Sequence, residues 1–332
     1  MRATVIGALV LAGAFAGCVG PTVVATVPTP ALVPLRTFPV IVLAPGPRSA
    51  ERRIGEALAR HLRGDGREVR LVDQASIEAM RQRGELPPAS VVVGLEVEEL
   101  RASRTRLGNR PETVCGPAGC YTRGRPDSYQ VPTLRMRARL TVFEGPTGRP
   151  LQRLGVEAQE EGRSYARMRD RAVQQLLGRL RTMVDPHVER VSVRLRSVDL
   201  PAVEPALEEM RRGRWHRARR RLEALVRSEG FGRLGARERA RVWYDLGVAR
   251  RFDPETFARD PERHFRAAET ALRRALRLDP DPAYDRALAD LLAHRERARL
   301  LRAQQQAAEH NFRLGPAAPP MPLPPPGYGQ QP

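Results

Sequence analysis

SVVVGLEVEEL (residues 90–100) and VPTLRMRARLTVF (residues 131–143) decide the fold of this chain. Both alternate with period two, the pattern of a strand buried on one face. In the first, Val91, Val93, Leu95 and Val97 point one way, and Glu96 and Glu98 point the other. In the second, Leu134, Met136, Ala138, Leu140 and Val142 share a face, with Arg135, Arg137 and Arg139 on the opposite one. Antiparallel pairing of the two sets outward glutamates across from outward arginines, an arrangement worth about 0.2–1 kcal/mol per pair. The arginine row is therefore read as the charged outer face of a sheet, with a binding face for an anionic partner as the alternative.

The flanking segments extend this sheet. FPVIVLA (residues 38–44) is a buried strand. Ala50, Ile54, Leu58 and Leu62 then recur every four residues as an amphipathic helix. EVRLVD (residues 68–73) is a second strand, and residues 74–82 form a short helix. After a turn at 145–148, Leu154, Val156 and Ala158 mark another strand. Ser164 opens a helix with an apolar stripe through Ala172, Val173, Leu176, Leu177, Leu180, Met183 and Val184. VERVSVRLRSV (residues 188–198) is read as the strand that closes the unit. The predicted fold class is thus α/β over 38–198, a mixed sheet with packed helices, followed by an all-α domain.

The order of elements in 38–198 resembles the N-terminal domains of the curli secretion channel and of TolB, periplasmic families. The resemblance implies a domain for assembly or partner contact, without catalysis. No second pair of long lipid-facing segments is evident, and Arg135, Arg137 and Arg139 suit bilayer exposure badly.

From 201 to 311 the period is helical. Ala206, Leu207 and Met210 precede Gly213. Trp215, Ala218, Leu222 and Leu225 follow it, as in a helical hairpin. A second start at Trp243, Leu246 and Gly247 continues after an insertion at Ala268, Leu272, Ala275 and Pro280. These positions resemble tetratricopeptide repeats, which implies helix pairs stacked through small residues and a surface for extended peptides or other proteins. The insertion, residues 252–263, carries Asp253, Glu255, Asp260 and Glu262 and is read as a polar surface loop. Arg211, Arg212, Arg214, Arg217, Arg219, Arg220 and Arg221 form an arginine-rich run, read as a solvated face or a basic contact surface. Residues 312–332 are a proline-rich tail expected to stay extended.

At the other end, residues 1–17 place one arginine before a short apolar run, as in an export signal. Phe15-Ala16-Gly17-Cys18 resembles a bacterial lipobox. That resemblance implies lipidation of Cys18 with a triacyl anchor (diglyceride and palmitate), and the outer membrane, facing the periplasm, is the expected site of attachment. Residues 18–37, rich in Pro, Thr and Val, are read as a tether to the first domain.

The chain of 332 residues has a formal net charge of +19, and all 57 of its basic residues are arginine. Such a charge favours contact with anionic lipid or other polyanions. No aromatic-interleaved basic sheet for base stacking is evident, so nucleic acid is not an expected partner. Zinc-peptidase, nucleophile-elbow and phosphate-loop motifs are absent from the sequence, and none of the six histidines is paired at ligand spacing. No cofactor or metal site is expected. The expected function is a non-catalytic module for protein–protein interaction or assembly in the cell envelope. The alternatives are an accessory subunit of a secretion or export channel and, behind it, an envelope hydrolase.

Cys115 and Cys120 remain. No nearby ligands complete a metal site, and four intervening residues do not suit a thioredoxin-like redox pair. With export, and with Cys18 assigned to lipid, the two are expected to form a structural disulfide.

Overall fold

The computed structural model describes residues 21–63, 67–116, 119–196 and 201–315. The signal segment, Cys18 and the proline-rich stretch from 316 onward lie outside the described residues. A mixed α/β part is followed by a mostly helical part. The chain divides into two units: Thr29–His187 with the chain from Arg299 onward, and Val188–Ala298 with the chain up to Pro28.

Among the described residues the strands are β1 (Thr22–Thr29), β2 (Val40–Pro45), β3 (Glu68–Leu71), β4 (Ser90–Gly116), β5 (Gly119–Glu144), β6 (Pro150–Glu161) and β7 (His187–Arg194). In the α/β unit, five of them form a sheet of order β3-β2-β4-β5-β6. β2 runs parallel to β3 and β4, whereas β4, β5 and β6 are successively antiparallel. Helices α1 (Ser49–Leu62) and α3 (Tyr165–Val184) supply the core on one face. Ile54, Leu58 and Leu62 of α1, with Met168, Leu176 and Leu180 of α3, are buried with Val91, Val93, Leu134, Met136 and Leu140 of the sheet. Helix α2 (Ser76–Gln82) covers a smaller area on the other face, where Ile77 and Met80 meet Val40, Val42 and Val92. Each such side chain contributes about 1.5–3 kcal/mol by burial.

Glu51 ties α1 to this sheet. The residue is 3% exposed. One carboxylate oxygen accepts the Arg48 backbone N–H at the helix start (2.7 Å), and the other accepts the Val97 N–H of β4 (2.9 Å). A Cβ on Gly46 would lie 2.5 Å from this carboxylate and would displace it from its two N–H donors.

The helical unit contains α4 (Glu204–Arg211), α5 (Trp215–Arg227), α6 (Glu229–Gly232), α7 (Ala236–Phe252), α8 (Pro254–Arg259), α9 (Pro261–Leu278) and the first part of α10 (Pro282–Leu314). α7 is buried along most of its length, from Ala240 to Phe252. A helix enclosed in this way carries little amphipathic signal.

Four expectations are corrected. Residues 18–37 are not simply a tether, because β1 pairs with β7 in a two-stranded sheet. Val23, Ala25 and Val27 of β1 enter the helical core, while Val33 and Leu35 enter the α/β core. The alternation was hidden because Val24 occupies an outward position that is normally polar. Second, β7 does not close the α/β sheet, since its partner is β1. Third, the insertion at 252–263 folds as α8, and Asp253 is buried rather than part of a surface loop. Its carboxylate accepts the Glu255 N–H as the cap of α8 (3.0 Å) and pairs with Arg219 (2.6 Å). Fourth, α10 runs through residues 312–314, where the tail was expected to begin, and its part from Arg299 belongs to the α/β unit. There Gln304 brackets Ala31, accepting its N–H and donating to its C=O at 3.0 and 2.8 Å.

The placement of β1 predicts that Val27→Asp, at a fully buried position, destabilises the chain by about 3 kcal/mol or more. Val24→Asp, at a position 58% exposed, should change stability by under about 0.5 kcal/mol. Urea titration of both variants checks this; a tether would make them equal.

Candidate functional site

Three features were candidates: the arginine run, the repeat positions and the cysteine pair. The arginine run is largely neutralised by its own neighbours. Arg211 pairs with Glu204 (2.6 Å) and Glu208 (3.2 Å), and Arg212 with Glu208 (2.7 Å). Arg214 and Arg221 share Glu209, and Arg219 bridges Glu223 (2.9 Å) and Asp253. Arg217 and Arg220 stay on the exposed face of α5. Exposed pairs of this kind contribute little stability, but they reduce the field the run presents.

The repeat positions converge in one core. Gly213 takes a positive φ of 70° in the turn between α4 and α5. Trp215 packs on Phe252 at 5.1 Å, and Ala218 and Leu222 are fully buried. Trp243 meets Phe231 edge-on and carries Arg274 over its ring at 4.5 Å. Leu246, Ala268 and Ala275 are buried beside them, whereas Pro280 is exposed between α9 and α10. A Cβ on Gly247 would come within 2.7 Å of Leu272, which is why α7 and α9 approach through a glycine.

The same unit buries several ionisable groups. Asp245 is fully buried and accepts the Arg196 backbone N–H at 2.9 Å; burial pushes its carboxyl well above the usual range. His264 donates through Nε2 to the Arg251 carbonyl (3.1 Å), leaving Nδ1 to accept from the Thr256 hydroxyl (2.8 Å). Arg251 lies over Phe252 and is lowered to about 10, chiefly by burial. His294 is 5% exposed, stacks on Phe252 and meets the edge of Phe265. Burial, then the charges of Arg251 and Arg297, push it down to about 3. These groups are held in aromatic layers or tied to backbone. Among the described residues no cluster of His, Cys, Asp and Glu could hold a metal ion.

In the α/β unit, His61 and Arg36 both bond the Asp185 carboxylate. Burial alone would raise that carboxyl, but hydrogen bonds from Arg36 and His61 hold it below the usual range. The pair sits near a cavity of about 140 Å³ lined by Arg36, Thr37, Arg67, Pro186 and Gln304, among others.

The third feature is larger than the sequence suggested. β4 and β5 stay in register far beyond the sheet. β6 last pairs with β5 at Thr133↔Glu161, and β2 last pairs with β4 at Pro45↔Leu95. From Ser103↔Pro132 to Cys115↔Cys120 the two strands run as an arm of thirteen pairs, about 40 Å long at the ordinary rise. Leu107 is 87% exposed and Tyr129 52% exposed. A bond between Cys115 and Cys120 joins directly opposite positions near the tip. At the arm's base the arginines are neutralised. Arg135 donates to Glu157 (2.9 Å), and Arg137 reaches the same glutamate (3.2 Å). Arg139 lies between Glu96 and Glu98 at 3.5 and 3.4 Å.

No family model matches the chain, and no curated protein matches it. Several solved structures overlap it in part. The PelC dodecamer from Paraburkholderia phytofirmans is 18% identical, covering 50% of this chain and 100% of its own, with a TM-score of 0.26. A putative neuraminyllactose-binding hemagglutinin homolog from Helicobacter pylori is 11% identical over 45% of this chain and 84% of its own, TM-score 0.27. Lipoprotein GNA1162 from Neisseria meningitidis is 11% identical over 42% of this chain and 96% of its own, TM-score 0.21. At such scores the overlaps carry no argument about function.

Two outcomes are expected. Peptide mapping without reductant recovers residues around Cys115 and Cys120 as one linked species; free thiols in the protein purified without reductant contradict the bond. A histidine depressed in the folded state is protonated first in the unfolded chain, so its stability is present above pH 6.5 and is lost as pH falls towards 3. Between pH 7 and 5 the neutral His294 should cost the folded protein about 2 kcal/mol. His294→Phe should flatten that slope in urea melts, and an unchanged slope contradicts a buried neutral ring.

Proposed function

We propose that the chain is a non-catalytic contact and assembly module of the bacterial cell envelope, exported and lipid-anchored through Cys18. In this proposal it sits at the outer membrane facing the periplasm, and its partners are envelope proteins or extended peptides. The observation that carries the proposal is the helical unit, where helix pairs share one core and the chemistry-bearing side chains serve packing. Trp215, Trp243, His264 and His294 all lie inside layers of helices. What such a unit offers a partner is the outer surface of stacked helices, the usual role of repeat architectures. Among the described residues no helix is long and apolar enough to cross a membrane.

A channel subunit is the second proposal, favoured by the long β4–β5 hairpin alone. A barrel requires each hairpin edge to pair with its neighbour and its outer face to be apolar. Arg104 and Arg106 within the arm do not fit a lipid-facing band.

The test is capture of the tagged chain from its native envelope, followed by native mass spectrometry. A partner of fixed stoichiometry is expected, and Arg217→Glu with Arg220→Glu should weaken its retention. A chain recovered alone, with envelope assembly normal in a deletion strain, counts against the module. The anchor has its own measurement, since Cys18→Ser should abolish acyl labelling.

A further inference from the structure

The two-stranded sheet of β1 and β7 has one dry face and one wet face. Val23, Ala25 and Val27 of β1 enter the helical core, and Val191 and Val193 of β7 pack against it. The alternate residues point away from that core. Val24 and Thr26 of β1 and Val188, Arg190, Ser192 and Arg194 of β7 are all exposed. Val24 is 58% exposed and Val188 63% exposed. Two valines and two arginines thus share the outer face, and no acidic residue stands on it. Glu189 has the opposite parity and reaches Arg297 (3.2 Å). Among the described residues neither the Arg190 nor the Arg194 side chain pairs with a carboxylate.

The position of this sheet in the chain decides what lies beside it. Only Val19 and Gly20 separate Cys18 from Pro21. Three peptide steps span at most about 11 Å. The Leu195 N–H donates to the Pro21 carbonyl (2.9 Å), which sets the end of β7 beside the start of β1. A lipid on Cys18 therefore holds this corner of the helical unit at the bilayer surface, within about one Debye length of its headgroups. So short a link makes the local concentration of that surface high, and a contact too weak to act alone becomes occupied. An end-on approach would bring up Asp281, which pairs with Arg196 (3.2 Å) beyond the end of β7. An anionic surface repels that acid, whereas the outer face of the sheet brings only arginine, valine, hydroxyl groups and proline.

We propose that the outer face of the β1–β7 sheet docks on the anionic phospholipid surface that holds the lipid on Cys18. The inference rests on the reading of Cys18 as a lipid anchor and adds to it the face that the anchored chain turns to the membrane. Guanidinium groups bind phosphate oxygens in bidentate fashion, and the valines between them enter the headgroup layer. A second copy is disfavoured as occupant, because an isologous pair would set the same unpaired arginines against each other. The contact fixes the orientation of the helical unit, which the lipid by itself leaves free.

The test couples the chain from residue 18 onward to vesicles through Cys18. With Cys115 and Cys120 bonded, Cys18 is the remaining thiol of the three, and it reacts with a maleimide-bearing phospholipid. The vesicles hold phosphatidylglycerol and phosphatidylcholine in equal parts, the latter brominated on its acyl chains. Val24→Trp supplies the probe, and the same chain without that substitution gives the background of Trp215 and Trp243. Quenching of the introduced ring is expected, weakening from about 50 mM to about 500 mM salt. Arg190→Gln with Arg194→Gln should lower the ratio of docked to undocked chain about twenty-five-fold, since each arginine near such a surface is worth about fivefold. Lysine at both positions keeps the charge and should retain the quenching, which separates loss of charge from misfolding. Quenching that is equal in the glutamine variant, or equal in brominated vesicles without phosphatidylglycerol, overturns the proposal. So does a chain that is dimeric without vesicles and becomes monomeric in the glutamine variant, which would assign the face to a second copy. Failure of the anchor is read separately: absence of acyl labelling at Cys18 in the native envelope counts against the anchor, whereas a coupled chain without charge-dependent quenching counts against the face.

Discussion

The register of β4 against β5 is the constraint on which the rest depends. Its alternation decides at once which residues enter the core and which face of the arm carries charge. Val91 to Val97 and Leu134 to Val142 are core because their positions share the parity that faces α1 and α3. Carried outward by the same parity, the opposite face of the arm takes Arg104 and Arg106. A slip of one residue would reverse both assignments. Two features oppose a slip. Near the tip the Cys115–Cys120 bond joins opposite positions, and at the base the Gly145 N–H donates to the Ser90 carbonyl.

Three of the buried acids are held by backbone N–H groups where elements meet, whereas Glu209 is held by the side chains of Arg214 and Arg221. Glu51 joins the start of α1 to β4, Asp253 caps α8 beside α5, and Asp245 holds the backbone at Arg196. A carboxyl group held in this way fixes geometry more than it adds stability, because desolvation offsets much of the attraction. Removing such a group would release the junction between elements without leaving an apolar cavity.

Much of the fold was legible because a buried face imposes a period. α1, α3 and α9 each bury one side and expose the other, and their apolar residues repeat accordingly, while β2, buried on both faces, is a continuous apolar run. The helix pairing was legible because Gly213 marks a turn at positive φ and Gly247 a close approach that demands a small residue. The arm was not, because a ribbon wet on both faces has no apolar alternation, and its Gly and Pro residues resemble those of loops. Its one sequence signal was the parity of Arg104, Arg106 and Arg110. β1 was misread for the opposite reason, with valine in both phases. The partner of β7 was beyond any local pattern, since pairing is a property of the whole chain. Asp253 was read as a surface group because the residues around it are polar, whereas its burial depends on Arg219, far off in sequence.

The distribution of charge separates composition from function better than its total. A chain that uses arginine for every basic position places arginine wherever a cation is tolerated, so density alone says little. At Arg211 to Arg221 the density is highest, yet Glu204, Glu208, Glu209, Glu223 and Asp253 lie among the guanidinium groups. Along the sheet, Glu96, Glu98 and Glu157 do the same for Arg135, Arg137 and Arg139. Where an acidic partner has been supplied locally, the arginine is explained by the fold.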